Sequence, residues 1–289
     1  MLWLRLMKLV ISAQCVAILL ALQLPKSRST GISNLELKPE TIQAFNRYVQ
    51  LTEARIHEEV SQPERFLYVD GLAPDRRSQA RAALRSGEMF MEPLETLGAS
   101  GQKIQAPDAI IHHWLATVFV PGANLQQTIA LMQDYNRHQD IYRPEVARSR
   151  LLNRQGNDFK IYYRLRKKKV ITVTLNTNHD IHYFPVDAQH WYSRSYSTRI
   201  AEVANADTQN EHEKPVGHDG GFLWRINSYW KFEEKDSGVY IECESVSLTR
   251  DIPAGLGWLI RPFVTSIPKE SLQMTMDATR TALGVGGRQ

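Results

Sequence analysis

Cysteine is almost absent from this chain: the 289 residues hold two, Cys15 and Cys243. Cys15 lies inside an N-terminal apolar run, so a chain without that run can form no intrachain disulfide, whatever its compartment. Cys243 falls in an apolar strand-like stretch, where a buried, inert thiol is expected. Acidic residues are missing from the first 29 positions, which carry Arg5, Lys8, Lys26 and Arg28. Without those four, 31 basic residues face 31 acidic ones, so the pI near 9.0 belongs to the leader and not to the body. A neutral body lacks the electrostatic footprint of a nucleic-acid binder, and none is expected. Gly-rich phosphate loops, dinucleotide fingerprints and Ser/His/Asp nucleophile motifs are also missing. There is no internal repeat or low-complexity tract. Charged residues at 23% and apolar residues at 43% are ordinary for a globular chain, which speaks against disorder and against a multi-span membrane protein.

The leader has the three parts of an export signal. Arg5 and Lys8 make a positive start, "LVISAQCVAILLALQL" is an apolar run, and "PKSRST" is a polar exit. As a helix, the run rises about 24 Å at roughly 1.5 Å per residue, short of a hydrocarbon core of about 30 Å. Cleavage after Ser29 gives a periplasmic or secreted protein. If Leu2 to Leu6 extends the run, the segment stays as a membrane anchor. Cys15 follows Gln14 inside the run and does not resemble a lipoprotein attachment site.

Residues 38 to 60 read as a helix, with Pro39 in its first turn and Ile42, Phe45, Val49 and Ile56 at near-helical spacing. A second helix is expected over 75 to 85, with Gly87 as its breaker. From residue 108 the pattern changes. "DAIIHHWLATVFVPG" reads as a strand and "ANLQQTIALMQDY" as a short amphipathic helix, and "NRHQDIYRPEV" adds at most a further turn. Strands follow at 145–154, 158–168, 171–186, 189–204, 221–235 and 238–250, separated by turns such as "RQGND" and "EKDSG". The polar insertion "NADTQNEHEKPVGHDG" reads as a mobile loop.

An antiparallel sheet of this size needs a cover for its apolar face. In the fifth of these strands Phe222, Trp224, Ile226, Trp230 and Phe232 are expected to share one face. Ile171, Val173, Leu175, Ile181 and Tyr183 do the same on another. The cover is the C-terminal segment "GLGWLIRPFVTSIPKESLQMTMDATRTAL". Ser266 and Pro268 are expected to start its regular helix, Leu272, Met276, Thr279 and Leu283 line one side, and Leu256, Trp258, Leu259 and Phe263 add apolar surface upstream.

The order strand, two small helices, six strands, long helix resembles the START-like helix-grip (SRPBCC) superfamily, which includes START lipid-transfer domains, polyketide cyclases and pollen-allergen-type proteins. The resemblance covers residues 108 to 284 and rests on architecture, through "VPGANLQQTIALMQDYNRHQDIYRPEVARSRLL" at the front and the closing segment at the end. It implies an α+β fold in which a curved antiparallel sheet grips a C-terminal helix, with 1–29 as leader, 30–107 as a helical extension and 285–289 as a tail. It further implies a cavity between sheet and helix for an apolar small molecule, with a lipid among the candidates. Tyr183, Trp224, Trp230, Trp258, Phe263 and Met276 are the expected ligand contacts. No cofactor is expected, and an enzyme is the less favoured reading. Fold alone does not establish function.

Adjacent His112 and His113 point to opposite faces of a strand, as do His179 and His182, so neither pair can share a metal ion. His212 and His218 lie in the insertion without metal-ligand spacing, and no metal is expected. "WYSRSYSTR" sets Trp191, Ser193, Ser195, Ser197 and Arg199 against Tyr192, Arg194, Tyr196 and Thr198. "YIECESVSLTRD" puts Glu242 and Glu244 on one face. On a concave face, Glu242, Glu244 and Arg194 would form a buried network, orienting a headgroup or acting as acid and base in a cyclase or dehydratase. On a convex face they would be solvated charge pairs, and the apolar phase of Ile241 and Cys243 favours this second reading. A third alternative is a core filled by its own side chains, leaving an interaction module. The basic "LRKKKV" at 165 to 170 is either a solvated hairpin tip or a peripheral contact with an anionic membrane surface.

Overall fold

The computed structural model describes residues 36–169, 171–251 and 257–286, with side chains of the last helix from 266 to 284. Helix α1 spans Pro39–Val60 and α2 spans Pro74–Arg85, each with proline in its first turn, where the missing amide is no loss. Strand β1, Phe90–Pro93, leads to β2, Ala109–Pro121. Helix α3, Leu125–Gln133, is capped by the Asn124 side chain accepting from the Gln127 amide at 2.8 Å, and α4 is the single turn His138–Ile141. The remaining strands are β3 Val146–Gln155, β4 Asp158–Lys168, β5 Thr172–Pro185, β6 His190–Ala204, the two-residue β7 His212–Glu213, β8 Arg225–Lys235 and β9 Gly238–Arg250. Helix α5, Gly257–Gly286, closes the chain. Residue periodicity and turn chemistry place α1 to α3, β2 to β6, β8 and β9 to within a few residues of their positions, whereas β1 and β7 are not expected as strands. The β8–β9 turn shows why. Asp236 and Ser237 both take φ of 56°, the double left-handed pair of a tight hairpin, and the Asp236 carboxylate accepts from the Tyr240 hydroxyl at 2.7 Å.

All neighbouring strands pair antiparallel in the order β1-β2-β9-β8-β6-β5-β4-β3, with β7 on β6. The sheet is open, with β1 and β3 at its edges. Helix α5 lies across one face, here the inner face. Leu272, Met276 and Leu283 of α5 pack with Ala116, Val118, Phe232 and Ile241 of the central strands. This is the helix-grip arrangement of one long helix held against an antiparallel sheet. The regular helix starts at Gly257 rather than Ser266, so Pro262 and Pro268 lie within it. A proline's fixed φ is compatible with a helix, but inside one it removes an amide donor and its ring crowds the carbonyl four residues back.

Helices α1 and α2 cover the opposite, outer face. The buried side of α1 is Thr41, Phe45, Tyr48, Thr52 and Ile56: Phe45 and Ile56 of the expected stripe are buried, Val49 packs at the margin of the cluster, and Ile42 is half-buried. The strip of β8 that reads as one apolar face also divides. Trp230 and Phe232 turn inward, whereas Trp224 precedes the strand and packs under α1 with Tyr229, Val246 and Leu248. Phe222 is exposed. The insertion expected as a mobile loop is tied to the sheet: Arg164, only 5% exposed, donates to Glu211 at 2.9 and 2.8 Å, and β7 pairs with β6.

Candidate functional site

At one end the inner face is filled. Tyr135, Tyr142, Tyr183 and His138 are buried there, with the Tyr135 and Tyr183 hydroxyls 2.8 Å apart and Tyr142 3.1 Å from Thr279 of α5. Nδ1 of His138 bonds the Tyr163 hydroxyl, while its Nε2 has no hydrogen-bond partner among the described residues. Burial brings the His138 and His179 imidazoles down to about 4, so both rings are neutral at physiological pH.

Towards the other end the inner face changes character. Strand register sets Ile181, Ser195, Ser228, Ser245 and Trp114 side by side across β5, β6, β8, β9 and β2. One row further out stand His179, Ser197, Ile226, Ser247 and His112; one row inward are Tyr183, Ser193, Trp230, Cys243 and Ala116. These three rows contain no Asp, Glu, Lys or Arg. Burial brings His112 down to about 4 as well, and its Nε2 is 2.9 Å from the Thr249 hydroxyl. Ser197 accepts from the Ile226 amide at 2.9 Å. Among the described residues the hydroxyls of Ser193, Ser195, Ser228, Ser245 and Ser247 bond to no protein group, although Ser193 is only 1% exposed and Ser247 4%. None of these hydroxyls is among the fully buried unmatched polar atoms of the structure, so each keeps some accessible surface and is free to take a partner. The tryptophans around them, Trp114, Trp191 and Trp230, are only half-buried despite facing the gripped side. Lys269 of α5, itself exposed, holds its ammonium 5.6 Å from the Trp114 ring centroid.

Strand β8 makes the asymmetry plain. Ser228 and Trp230 on the inner face are half-buried, whereas Asn227, Tyr229, Lys231 and Glu233 on the outer face are buried. The outer face carries a charge network sealed by α1 and α2. Glu242 accepts from the Tyr68 amide at 3.0 and 3.2 Å and from Thr117 at 3.1 Å, with Lys231 beside it. Glu244 bonds Arg55 and lies 2.6 Å from Nε2 of His113, whose Nδ1 is 2.9 Å from the Tyr48 hydroxyl. Arg81 links Asp70 to Glu233. Burial raises Glu242 to about 7, against the pull of Lys231. Glu244 is equally buried, yet the His113 hydrogen bond and the Arg55 charge hold it down at about 2. A cavity of about 210 Å³ opens beside this network, lined by Arg55, Glu58, Glu59, Gln62, Arg65, Tyr68, Gly71 and Leu72.

The structure therefore separates the residues expected to act together. Glu242 and Glu244 do avoid the gripped face, as the apolar phase of Ile241 and Cys243 implies, but they are not solvated: each is 1% exposed beneath the N-terminal helices. Arg194 joins neither group; it is exposed and its guanidinium stacks over Phe184 and Tyr196. Of the expected ligand contacts, Trp230 borders the hydroxyl rows, Tyr183 and Met276 lie in the filled end, and Trp224 is on the outer face. The side chains of Trp258 and Phe263, like the whole leader with Cys15, fall outside the described residues. In the basic tip, Arg166 pairs with Asp207, Lys167 with Glu145 and Lys169 with Glu270, which neutralises much of it. The serine rows were legible as an alternation in "WYSRSYSTR", but their face could not be assigned without the partner strands.

No family model and no curated protein matches this chain. Several solved structures do. A protein from Thermus thermophilus matches at 14% identity over 61% of this chain and 98% of its own, with a TM-score of 0.44. A STAR-related lipid transfer protein from Xanthomonas axonopodis matches at 15% over 66% and 98%, TM-score 0.41. An aromatase/cyclase from a Streptomyces species matches at 10% over 60% and 94%, TM-score 0.42. At such identities the assignment of ligand or reaction has to come from this chain's own side chains.

Proposed function

We propose that this is an exported protein that holds an apolar small molecule, a lipid among the candidates, between the inner face of the sheet and helix α5. The observation that carries the reading is the inverted burial of β8. Trp230, on the gripped face, keeps accessible surface, while Lys231, on the far face, is 2% exposed. Large aromatics left half-buried inside a fold offer a ligand the contact area that an apolar site requires. The leader with its basic start and apolar run supports export. Peripheral contact with an anionic membrane surface would fall to Lys168, the described cation of the β4–β5 tip without an acidic partner.

An acid–base enzyme in the same space is less well supported, because its named carboxylates stand on the other side of the sheet. The test is organic extraction of the protein purified from its native compartment, with mass spectrometry of the extract. A stoichiometric apolar molecule is the expected result. An empty extract, together with failure of a panel of apolar probes to bind, would favour an interaction module with a filled core.

A further inference from the structure

We propose that the serine rows of β6, β8 and β9 bind uncharged oxygen atoms of the ligand, so that the protein takes a neutral oxygenated lipid and rejects ionised amphiphiles. The inference rests on the cavity reading above and deepens it by naming the ligand's chemistry.

Ser195, Ser228 and Ser245 are direct cross-strand neighbours on the inner face, so their hydroxyls form a line spanning about 10 Å, two strand spacings of about 4.8 Å. No described protein group satisfies them, nor the more deeply buried Ser193 and Ser247. A hydroxyl both donates and accepts, which suits an ester, a carbonyl or another hydroxyl. It does not compensate a full charge taken out of water, which needs an opposite charge beside it. The rows offer none, and their two histidines, His112 and His179, are kept neutral by burial. The described cations on this side are engaged elsewhere: Lys269 is exposed over the Trp114 ring, Lys167 and Lys169 pair with Glu145 and Glu270, and Arg154 stacks over Phe159. Serine is also short. Between the walls of Trp114 and Trp230 it leaves a trough where a longer residue would fill the space. An apolar body against the tryptophans, with two or three neutral oxygens along the serine line, matches this surface.

The experiment titrates the full chain, stripped of endogenous lipid, with three probes: diphenylhexatriene, dioleoylglycerol and oleate. Diphenylhexatriene has no oxygen and reports the cavity alone. The wild type is expected to bind dioleoylglycerol more tightly than oleate by about tenfold or more. The triple variant Ser195→Ala, Ser228→Ala, Ser245→Ala should lose about that factor for dioleoylglycerol, the worth of one or two net hydrogen bonds, and bind diphenylhexatriene unchanged. Ser228→Thr, which keeps a hydroxyl, should retain affinity and guards against a folding artefact in the triple variant. Oleate binding as tight as dioleoylglycerol would overturn the proposal, as would an unchanged dioleoylglycerol affinity in the triple variant. If diphenylhexatriene itself does not bind, the cavity reading fails first and the serine proposal with it.

Discussion

Lys231 Nζ stands 3.1 Å from Oε1 of Glu242 on the adjacent strand, and the two side chains are 2% and 1% exposed. They are directly paired across β8 and β9. A second carboxylate, Glu59 of α1, reaches the same ammonium from above, so the N-terminal helix is fastened to the sheet through a buried cation. Removing one partner of such a group strands the others without water. Lys231→Met is therefore expected to lower unfolding stability by about 3 kcal/mol. The loss should be larger at pH 8 than at pH 5, since protonation of Glu242 relieves the unpaired charge. Urea unfolding at the two pH values measures both, and an equal loss at each would contradict the assignment.

Acid should destabilise the protein well above the usual carboxylate range. His112, His138 and His179 have folded values of about 4 against an ordinary 6.5. Between those limits the unfolded chain takes up protons that the folded one refuses, so stability falls as pH drops from 6.5 to 4. Glu242 acts in the opposite sense. Its folded value of about 7 lies above the ordinary 4.5, so it favours the folded state as pH falls through that window. Three histidines outweigh one carboxylate. Below pH 4.5, Glu244, held at about 2, adds a further loss. The urea midpoint is expected to decline from pH 6.5 to 4, and the His138→Gln, His179→Gln pair should flatten that decline. A midpoint independent of pH over this range would refute it.

Most of the architecture could be read locally, because alternation, proline and turn chemistry act over a few residues. Val146–Gln155, Asp158–Lys168 and Gly238–Arg250 stand within a residue of their expected limits. What could not be read depends on partners far away in sequence. The outer face of β8 and β9 has the pattern of a solvated surface, Asn227, Lys231, Glu242 and Glu244, and only the docking of α1 makes it interior. Strand β1 went unrecognised because four residues, "FMEP", show no period. Trp224 was assigned to the wrong side since β8 begins one residue after it, and alternation cannot be extended past a strand's end.

Arg194 supplies a control on the outer face. Its guanidinium lies 5.2 Å from the Phe184 centroid and 5.6 Å from that of Tyr196, and the residue is exposed. Exposed cation–π contacts are worth about 0.5–1 kcal/mol. Arg194→Ala should lower the unfolding free energy by no more than that and leave probe binding unchanged. A large loss of binding would restore Arg194 to the site and move the site to the other face.

Trp224 and Trp230, six residues apart, give the sharpest separation of site from scaffold. Trp224 is 4% exposed, donates its indole N–H to Asp219 at 3.2 Å and packs beneath α1. Trp224→Ala opens a cavity in that outer cluster and should cost about 3 kcal/mol or more, without altering the affinity for diphenylhexatriene in the protein that remains folded. Trp230 is half-buried on the inner face, its ring parallel to that of Phe232 with centroids 6.2 Å apart. Truncating a side chain that already keeps accessible surface removes less packing, so Trp230→Ala should be the milder change in unfolding free energy. It removes one wall of the serine trough, however, and should weaken the probe by about tenfold, the equivalent of about 1.4 kcal/mol. Urea unfolding and a diphenylhexatriene titration of the same two variants give both quantities. If Trp224→Ala lost the probe and Trp230→Ala kept it, the ligand would lie under the N-terminal helices, and the inner face would be core.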